Sequence, residues 1–350
     1  SRSGHRAGAA VVSGGVLVRV IELFAGAGGA ALGLERAGFS HAALVEWDAD
    51  ACATLRAAGL GPVVQGDVRD LDAVAAVAGE SCDLLWSSYP CQAFSTAGRR
   101  LGADDDRNGW PWTVDAIDRF RPTWFLGENV RGLLSFDYFD EVIMGQLRER
   151  FRFAGFWLLN AADVGVPQHR RRVFIWAGPS PLVPPTRTHG PGMFTEPWVS
   201  MGQALGVHCA KRDNNDPAAV FERREIDLTD RPAPCVTARY DPRRGGQPYA
   251  VCALTNRTVG YAYLWRPAPS VTTADAQGVG SAHSRDILER AIGRRWLTVE
   301  ECATLQGFPD DHPWQGSKTS RYRQVGNAVP PALAEAVGRT VINAGRGQLC

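Results

Sequence analysis

Cys91 occupies the kind of position in which an α/β protein presents a nucleophile. The apolar run from Cys82 to Trp86 is typical of a buried parallel strand, and Pro90 ends it because proline has a fixed φ and no N–H to donate. Ligands of open α/β sheets bind at the carboxyl ends of the strands, where a thiol can attack a bound substrate. Most free cysteines are instead small buried hydrophobes. Cys91 alone leaves both interpretations open.

Two further groups of residues could assist such a nucleophile. Glu128 follows an apolar run that begins at Trp124, so it ends another predicted parallel strand, and burial raises the pKa of a carboxylic acid toward the range that suits proton donation. Gln168, Arg170 and Arg172 alternate along the chain and share one face of an extended segment, which suits a phosphate or a carbonyl oxygen. The alternatives are a helix cap for Glu128 and a solvated basic turn for the arginines.

A glycine-rich turn predicts a cofactor site. The strand-like residues 16–24 lead into a turn whose backbone N–H groups can approach a ligand closely. The next predicted strand ends at Glu46, Trp47 and Asp48, and a third ends at Asp67. A dinucleotide requires one ribose-binding acid, whereas several acidic or aromatic strand ends fit S-adenosylmethionine better. The repeated order of strand, acid and helix also predicts βαβ units and a parallel sheet.

Composition restricts the class of protein. The chain has 350 residues, 45% of them hydrophobic and 21% charged, as in an ordinary soluble globular protein. No apolar run approaches the roughly 20 residues that a membrane span requires. The eight cysteines form no CxxC pair, which favours free thiols in a reducing compartment and argues against a structural zinc site. We therefore expect no metal and no membrane association.

Changes in local composition along the sequence predict two domains. Residues 1–15 are small and polar, as in a disordered tail or a cloning remnant. Residues 16–184 and 316–350 carry the alternation of strands and helices and predict a catalytic, cofactor-binding domain. Proline, glycine and aromatic residues cluster between them, so residues 185–315 predict a smaller β-rich domain. The polar stretch from Gln92 to Gly109 predicts a mobile loop beside Cys91.

Six blocks stand in the order ELFAGAGG, PCQAFS, GENV, PQHRRR, LTVEECATLQGFP and QVGNAVPP, from Val20 to about Val341. In this order they resemble the DNA cytosine-5 methyltransferases. The resemblance implies an α/β fold: a Rossmann-like, S-adenosylmethionine-dependent methyltransferase domain with a mostly parallel sheet, plus a smaller β-rich target-recognition domain. It also implies that duplex DNA lies between the two domains and that the target cytosine is flipped out of the helix.

The resemblance implies a covalent mechanism. The Cys91 thiolate would attack C6 of the cytosine, and Glu128 would protonate or hydrogen-bond N3, so that C5 becomes nucleophilic enough to be methylated. Arg172 would lie at the carbonyl oxygen of the flipped base, with Arg170 supporting the site. Loss of the C5 proton and elimination of Cys91 would then restore the ring.

The resemblance also assigns the remaining site residues. For the cofactor they are Phe24, Ala25, Gly26, Gly28, Gly29, Glu46, Trp47, Asp67, Val68, Pro90, Asn327 and Ala328. For DNA they are Gln92, Ser95, Arg99, Arg100 and Gln168. Asn327 and Ala328 are expected to close the cofactor pocket beside Phe24.

The sequence departs from the family pattern at two positions. Tyr89 stands where a second proline is common, and its ring is expected to press on the cofactor or on the strand end. Glu300 stands where arginine is frequent, which removes one expected DNA contact. Neither change affects the residues assigned to the chemistry.

Two alternatives remain open from the sequence. The tRNA-directed branch of the same fold shares the PCQ and ENV blocks, although its CFT tripeptide is missing here. A nicotinamide-dependent oxidoreductase would explain the glycine turn, but not Cys91, Glu128 and the arginines in their order.

The family reading also gives expectations about the enzyme's setting. We expect a monomer in the cytoplasm of a prokaryote, associated with the nucleoid. We expect it to modify a short duplex sequence, either within a restriction-modification system whose endonuclease acts separately or as a solitary methylase.

Overall fold

A seven-stranded sheet forms the centre of the fold. The computed structural model describes residues 18–90, 108–205, 233–234, 236–239, 249–252 and 298–347. In spatial order the strands are β3 (Val63–Gln65), β2 (Phe39–Glu46), β1 (Val18–Leu23), β4 (Leu84–Ser87), β5 (Trp124–Val130), β8 (Arg171–Gly178) and β6 (Phe153–Asn160). The first five run parallel, and β8 runs antiparallel to both of its neighbours. This confirms the predicted mostly parallel α/β sheet.

Several helices begin at capping residues that their sequences carry. Asp48 and Asp70 cap two helices by accepting backbone N–H groups, and the predicted capping box of Thr298 and Glu301 is confirmed. In chain order the α-helices are α1 (Gly29–Ala37), α2 (Ala49–Ala57), α3 (Leu71–Ala78), α4 (Trp110–Phe120), α5 (Gly145–Arg150), α6 (Met201–Leu205), α7 (Val299–Gln306), α8 (Lys318–Asn327) and α9 (Pro331–Gly347). Short 3-10 helices cover Arg131–Ser135 and Ala161–Val164, and a π-helix covers Phe139–Met144.

The sheet buries apolar side chains on both faces. On one face, residues such as Leu85 and Phe125 pack with Ile117 of α4 and with α3 and α5. On the other face, Trp86 and Phe174 pack with α1 and α9. Burial on both faces explains why the central strands read as nearly continuous hydrophobic runs rather than as alternating ones.

The predicted smaller domain is described only in part. β7 (Gln168–His169) pairs in parallel with β9 (Ala233–Pro234), and β10 (Val236–Arg239) pairs in antiparallel with β11 (Tyr249–Cys252). Most of residues 185–315 lies outside the described part of the chain, so the domain boundaries stay a prediction. Within that range, α7 packs with α8 and with Ala27 of the glycine turn.

Two glycines let the last helix approach the first one closely. A Cβ on Gly29 would lie 2.1 Å from Val329 O, and one on Gly33 would lie 2.3 Å from Pro331 O and 2.7 Å from Glu335 N. Because the two glycines are four residues apart, they lie on the same face of α1. The absence of side chains on this face brings the C-terminal segment of the chain against the glycine turn.

A buried ion pair lies under the same turn. His41 Nε2 is 3.2 Å from Glu22 Oε2, and both side chains are almost completely inaccessible. Burial alone would lower the pKa of His41, but its hydrogen bonds to Glu22 and Glu35 outweigh burial and raise it to about 9. A charged His41 therefore ties β2 to β1, the strand that leads into the glycine turn.

We predict that Gly33→Ala destabilises the fold, because the added methyl group meets backbone atoms of α9 that cannot move aside easily. Overpacking of this kind lowers the free energy of unfolding by about 1–3 kcal/mol. The matched control is Gly145→Ala, since a Cβ at that helical position has no neighbour within 4 Å. Urea denaturation followed by circular dichroism measures both. Equal stability of the two variants would contradict the close packing of α1 on α9.

Candidate active site

The carboxyl ends of the parallel strands lie along one edge of the sheet. β1 leads to Phe24, β2 ends at Glu46, β4 leads to Pro90, and β5 carries Glu128 near its end. β8 runs in the opposite direction, so its amino end lies at the same edge, where Arg172 pairs with Val130. The fold thus brings the described cofactor candidates Phe24, Glu46 and Pro90 to the same edge of the sheet as Glu128 and Arg172.

The glycine turn begins with an unusual backbone conformation. Phe24 has a φ of 58°, in the left-handed region, and the Ala25 N–H donates to Val45 O at 3.1 Å. The Gly26 N–H then donates to Glu46 Oε2 at 2.8 Å. A Cβ on Gly26 would have no neighbour within 4 Å, so the backbone of the turn faces open space. That space is available to a ligand that approaches the main chain.

Glu46 is a buried carboxylate held by the backbone. Besides Gly26, the N–H groups of Trp47 and Asp48 donate to its Oε1, each at 2.9 Å. Burial raises the pKa of Glu46, and these three donors oppose that rise by stabilising the anion. The adjacent Trp47 is 81% exposed. The end of β2 therefore offers a fixed hydrogen-bond acceptor beside an uncovered aromatic face.

Aromatic and charged side chains pack together beside the glycine turn. The Phe24 ring stacks on Trp112 with centroids 6.5 Å apart, and the Arg69 guanidinium lies over the Trp112 ring at 5.4 Å. Arg69 also donates to both carboxylate oxygens of Asp67, and its hydrogen bonds lower the pKa of Asp67 to about 2. Val68, which follows Asp67, is buried. Asp67 is therefore a fixed anion at the end of β3.

The chain around Pro90 is tightly packed. A Cβ on Gly109 would lie 2.7 Å from Pro90 Cδ and 3.2 Å from Phe24 Cζ, so only glycine allows this approach. The Tyr89 ring is buried in the core against Trp110, with centroids 5.5 Å apart. Asn129 Nδ2 donates to Tyr89 O at 3.3 Å. Tyr89 thus serves packing at the strand end, and Asn129 fixes the backbone that leads to Cys91.

The C-terminal segment closes the other side of the turn. A Cβ on Gly29 would meet Ala328 Cβ at 3.2 Å, and Asn327, at the end of α8, is exposed. His312 Nε2 donates to Ala27 O at 3.1 Å, and burial lowers the pKa of His312, which favours its neutral form. Ala328 therefore packs against the glycine turn, and the closing of the cofactor pocket by Asn327 and Ala328 stays a prediction.

Glu128 and Arg172 form the second half of the site. Arg172 Nε lies 3.0 Å from Glu128 Oε1, and only 13% of the arginine side chain and 11% of the glutamate side chain are exposed. Burial raises the pKa of Glu128, and the charges of Arg172 and Arg170 oppose that rise. This balance suits a group that holds and returns a proton.

Gln168 and Arg170 are buried and contact the backbone of distant helices. The Gln168 amide nitrogen donates to Leu305 O and to Gln306 Oε1, each at 3.1 Å, and Arg170 Nη2 donates to Gly326 O at 3.1 Å. Gln168, predicted to contact DNA, has no exposed surface here. Its described contacts instead join β7 to α7, while Arg170 joins the Glu128 side of the site to the end of α8.

Several predicted site residues lie outside the described part of the chain. They are Cys91, Gln92, Ser95, Arg99 and Arg100. The structure does describe Pro90 and Asn108, the residues on either side of that segment. Cys91 follows Pro90 in the sequence, and β4 ends three residues before Pro90.

The described residues fit S-adenosylmethionine. Glu46 provides an acceptor for ribose hydroxyls, Trp47 an open aromatic face for an adenine, and Asp67 an acceptor for an amine. The space above Gly26 allows the rest of the molecule to lie against the turn. Among the described residues, no group of three or more His, Cys, Asp or Glu could hold a metal ion.

Comparison with known proteins identifies the family of the chain. A family model described as C-5 cytosine-specific DNA methylase matches residues 18–189 and 245–343. The chain belongs to the C-5 cytosine-specific DNA methylase family. It is accordingly a DNA cytosine-5 methyltransferase with S-adenosylmethionine as methyl donor, and the nicotinamide oxidoreductase interpretation is wrong.

Individual relatives of the methylase agree. Type II methyltransferase M.NgoMIV of Neisseria gonorrhoeae is 35% identical over 344 residues, which cover 93% of this chain and 97% of that protein. Type II methyltransferase M.NaeI of Lentzea aerocolonigenes is 35% identical over 328 residues, 93% of this chain and 74% of that protein. In fold, the chain resembles the Entamoeba histolytica methyltransferase EhMeth, with a TM-score of 0.60 and 16% identity over 94% of this chain and 99% of the other.

Three residues of the methylase site were missed from the sequence. In the sequence, Asn129 is one residue of the GENV block, and His312 and Gln306 fall in the range predicted for the smaller domain. The Gln306 amide nitrogen donates to Val325 O at 2.7 Å, so it joins α7 to α8. The sequence signal for Asn129 is its position: it is a polar residue directly after Glu128 at a predicted strand end. No local signal pointed to the other two.

None of the helices in the described ranges has the length and apolar character needed to cross a bilayer.

We predict that Glu128→Gln lowers the rate of methyl transfer by about 10²- to 10⁴-fold, because an amide cannot hand a proton over and take it back. Binding of S-adenosylmethionine should be unchanged, since Glu128 lies apart from the glycine turn on β5. Initial rates with radiolabelled S-adenosylmethionine and calorimetric titration measure the two effects. Glu149→Gln, which removes an exposed carboxylate paired with Arg150, is the control. Turnover by Glu128→Gln within a factor of two of the control would contradict the assigned role.

Proposed function

We propose that the enzyme methylates C5 of a flipped cytosine within one short duplex DNA sequence, with Cys91 as the nucleophile. The observation that carries this proposal is the buried pair of Glu128 and Arg172 at the end of β5. β5 is hydrogen-bonded to β4, the strand that leads through Tyr89 and Pro90 to Cys91. A proton donor and a thiol thus belong to neighbouring strand ends.

The chemistry uses these two groups in turn. The Cys91 thiolate adds to C6 of the cytosine while Glu128 gives its proton to N3, which makes C5 a carbon nucleophile. When bound, S-adenosylmethionine supplies an electrophilic methyl group for that carbon. A base then removes the C5 proton, the bond between sulfur and C6 breaks, and the proton on N3 returns to Glu128. The aromatic ring and the free thiolate are restored, so that atoms and charges balance.

Arg172 has two roles in this proposal. Its Nε bond orients the Glu128 carboxyl group, and its positive charge limits how far burial raises the pKa of that group. Without the arginine, the acid would hold its proton too tightly to give it to N3. The planar, multiply donating guanidinium is also suited to the carbonyl oxygen of the flipped base. Arg170 supports the same side of the site, because it donates a hydrogen bond to Gly326 O and its charge also acts on Glu128.

We propose that the cofactor is held by the residues around the glycine turn. Glu46 binds the ribose hydroxyls, Trp47 stacks on the adenine, and Asp67 accepts from its amine. Phe24 and Asn327 line opposite sides of the cleft. The bonds that hold Glu46, the exposure of Trp47 and the open space above Gly26 support these roles. The other predicted cofactor residues, Ala25, Gly28, Gly29, Val68, Pro90 and Ala328, shape the cleft mainly through their backbones.

We assign the reading of DNA to two further parts of the chain. Residues 185–315 form the target-recognition domain, although α7 packs on the catalytic domain. Gln92, Ser95, Arg99 and Arg100 contact the DNA beside the flipped base, and Gln168 supports them from within. Side chains that reach base edges would specify the sequence, whereas phosphate contacts would only position the duplex.

The relatives suggest the setting of the enzyme. Since two of them are bacterial Type II methyltransferases, we infer a prokaryotic modification enzyme that works in the cytoplasm at the nucleoid. A separate restriction endonuclease would share its target. The chain carries both the cofactor side and the base side of the site, so we infer that a monomer suffices for activity.

A labelling experiment tests the proposed substrate. The protein is incubated with tritiated S-adenosylmethionine and either unmodified duplex DNA or total tRNA, and bisulfite sequencing locates the product. We expect label at one cytosine of a short repeated sequence in the DNA and none in the tRNA. Transfer to tRNA without transfer to DNA would overturn the proposal in favour of the tRNA-directed alternative.

A further inference from the structure

A row of polar contacts, here called the polar seam, joins α2 to α8. It runs through Thr54, Gln324 and Gln315 and ends at the solvent side in an ion pair of Asp48 with Arg323. Arg323 Nη2 of α8 lies 2.5 Å from Asp48 Oδ2, although the two residues are 275 positions apart in the chain. Such a contact is made only when the C-terminal segment returns to the end of β2. None of the catalytic or cofactor roles assigned above uses it.

Asp48 is fixed on three sides. Its Oδ1 accepts from the Ala51 N–H at 3.0 Å and caps α2, its Oδ2 receives Arg323, and its own N–H donates to Glu46 Oε1 at 2.9 Å. Asp48 also follows Trp47 directly in the chain. Any shift of Asp48 is therefore transmitted to the carboxylate and to the aromatic ring that we assign to the cofactor.

Arg323 is equally tied to the other side of the cleft. It stands four residues before Asn327 in α8, so the two lie on one face of that helix. Beneath Arg323 the seam is buried: Thr54 Oγ1 donates to Gln324 Oε1 at 2.7 Å, and the Gln324 amide nitrogen donates to Gln315 O at 2.9 Å. The buried hydrogen bonds fix α8 on α2. The ion pair adds a second connection, from α8 to Asp48, the residue directly after Trp47.

We propose that Arg323 is a positioning residue for the methyl donor, which acts through Asp48 to hold the end of β2 at a set distance from Asn327. This inference rests on the proposed cofactor pocket. An ion pair whose arginine is 53% exposed contributes little to the stability of a fold. It can still affect affinity, because a ligand bound between two elements gains from their being aligned in advance.

The first test is Arg323→Gln. We expect the Kd and KM for S-adenosylmethionine to rise roughly three- to five-fold, with kcat at saturating cofactor and the melting temperature both unchanged. High salt should weaken cofactor binding by the wild type toward the value for the variant, since salt screens an exposed pair. Arg150→Gln is the matched control: it removes an arginine from an ion pair with Asp118, between α5 and α4 and away from the cleft.

A double-mutant cycle tests whether Arg323 acts through Asp48. Asp48→Asn removes the charge but keeps an acceptor for the Ala51 N–H, because asparagine caps helices as well as aspartate does. We expect the double variant Asp48→Asn, Arg323→Gln to bind S-adenosylmethionine no more weakly than either single variant. Additive losses would show that the two residues act independently and would overturn the inference.

The remaining outcomes are distinct. If Arg323→Gln raises the KM for DNA and leaves cofactor affinity unchanged, Arg323 is a phosphate contact and the inference is wrong. Unchanged values for both substrates would also overturn it. If the wild type binds no S-adenosylmethionine in the same titration, the proposed pocket fails, a result that is separable from failure of the ion pair alone.

Discussion

In the proposed mechanism, the chemistry depends on one buried ion pair, that of Glu128 with Arg172. A carboxyl group at the end of a central strand loses the solvation of its charged form, and its pKa rises. The reversed strand β8 brings a guanidinium to that carboxyl group in a fixed geometry. An all-parallel sheet would place the amino end of this strand at the opposite edge. The antiparallel reversal beside β5 therefore places a guanidinium at a strand-end acid, where its charge opposes the rise in the pKa of that acid.

On the cofactor side, close packing brings the C-terminal segment against α1. Gly29 and Gly33 let the segment from Ala328 to Glu335 lie directly against α1, and His312 holds the carbonyl of Ala27 from the same side. Arg170 donates to Gly326 O and Gln306 donates to Val325 O, so both side chains bond to carbonyl groups near the end of α8. These bonds connect the C-terminal segment to the side of the site that carries Glu128. The two halves of the site are thus joined through buried hydrogen bonds to backbone atoms. In the proposed function, these bonds hold the methyl donor and the target base in one geometry, although the segments that make them are distant in sequence.

The sequence predicted those features that local patterns encode. Strand ends at Glu46, Asp67 and Glu128 followed from apolar runs, and the Thr298 capping box followed from residue spacing. It could not predict that Gln168 would be buried against α7, or that Arg323 would reach Asp48, because these contacts join residues more than 100 positions apart. The position of Tyr89 was also not readable, since its ring is placed by Trp110 of α4 rather than by its own strand. The predicted roles of the site residues follow from the family resemblance, whereas the contacts that hold these side chains in place are seen only in the structure.

The most direct test of the account is to trap the bond between Cys91 and the base. A duplex with 5-fluorocytosine at the mapped target is incubated with the enzyme and S-adenosylmethionine, and the digested complex is analysed by mass spectrometry. After methyl transfer, C5 carries fluorine in place of the proton that must leave, so elimination is blocked and the adduct persists. We predict a DNA-linked peptide containing Cys91, absent from the Cys91→Ser variant. Methyl transfer without such an adduct, or an adduct on another cysteine, would contradict the account.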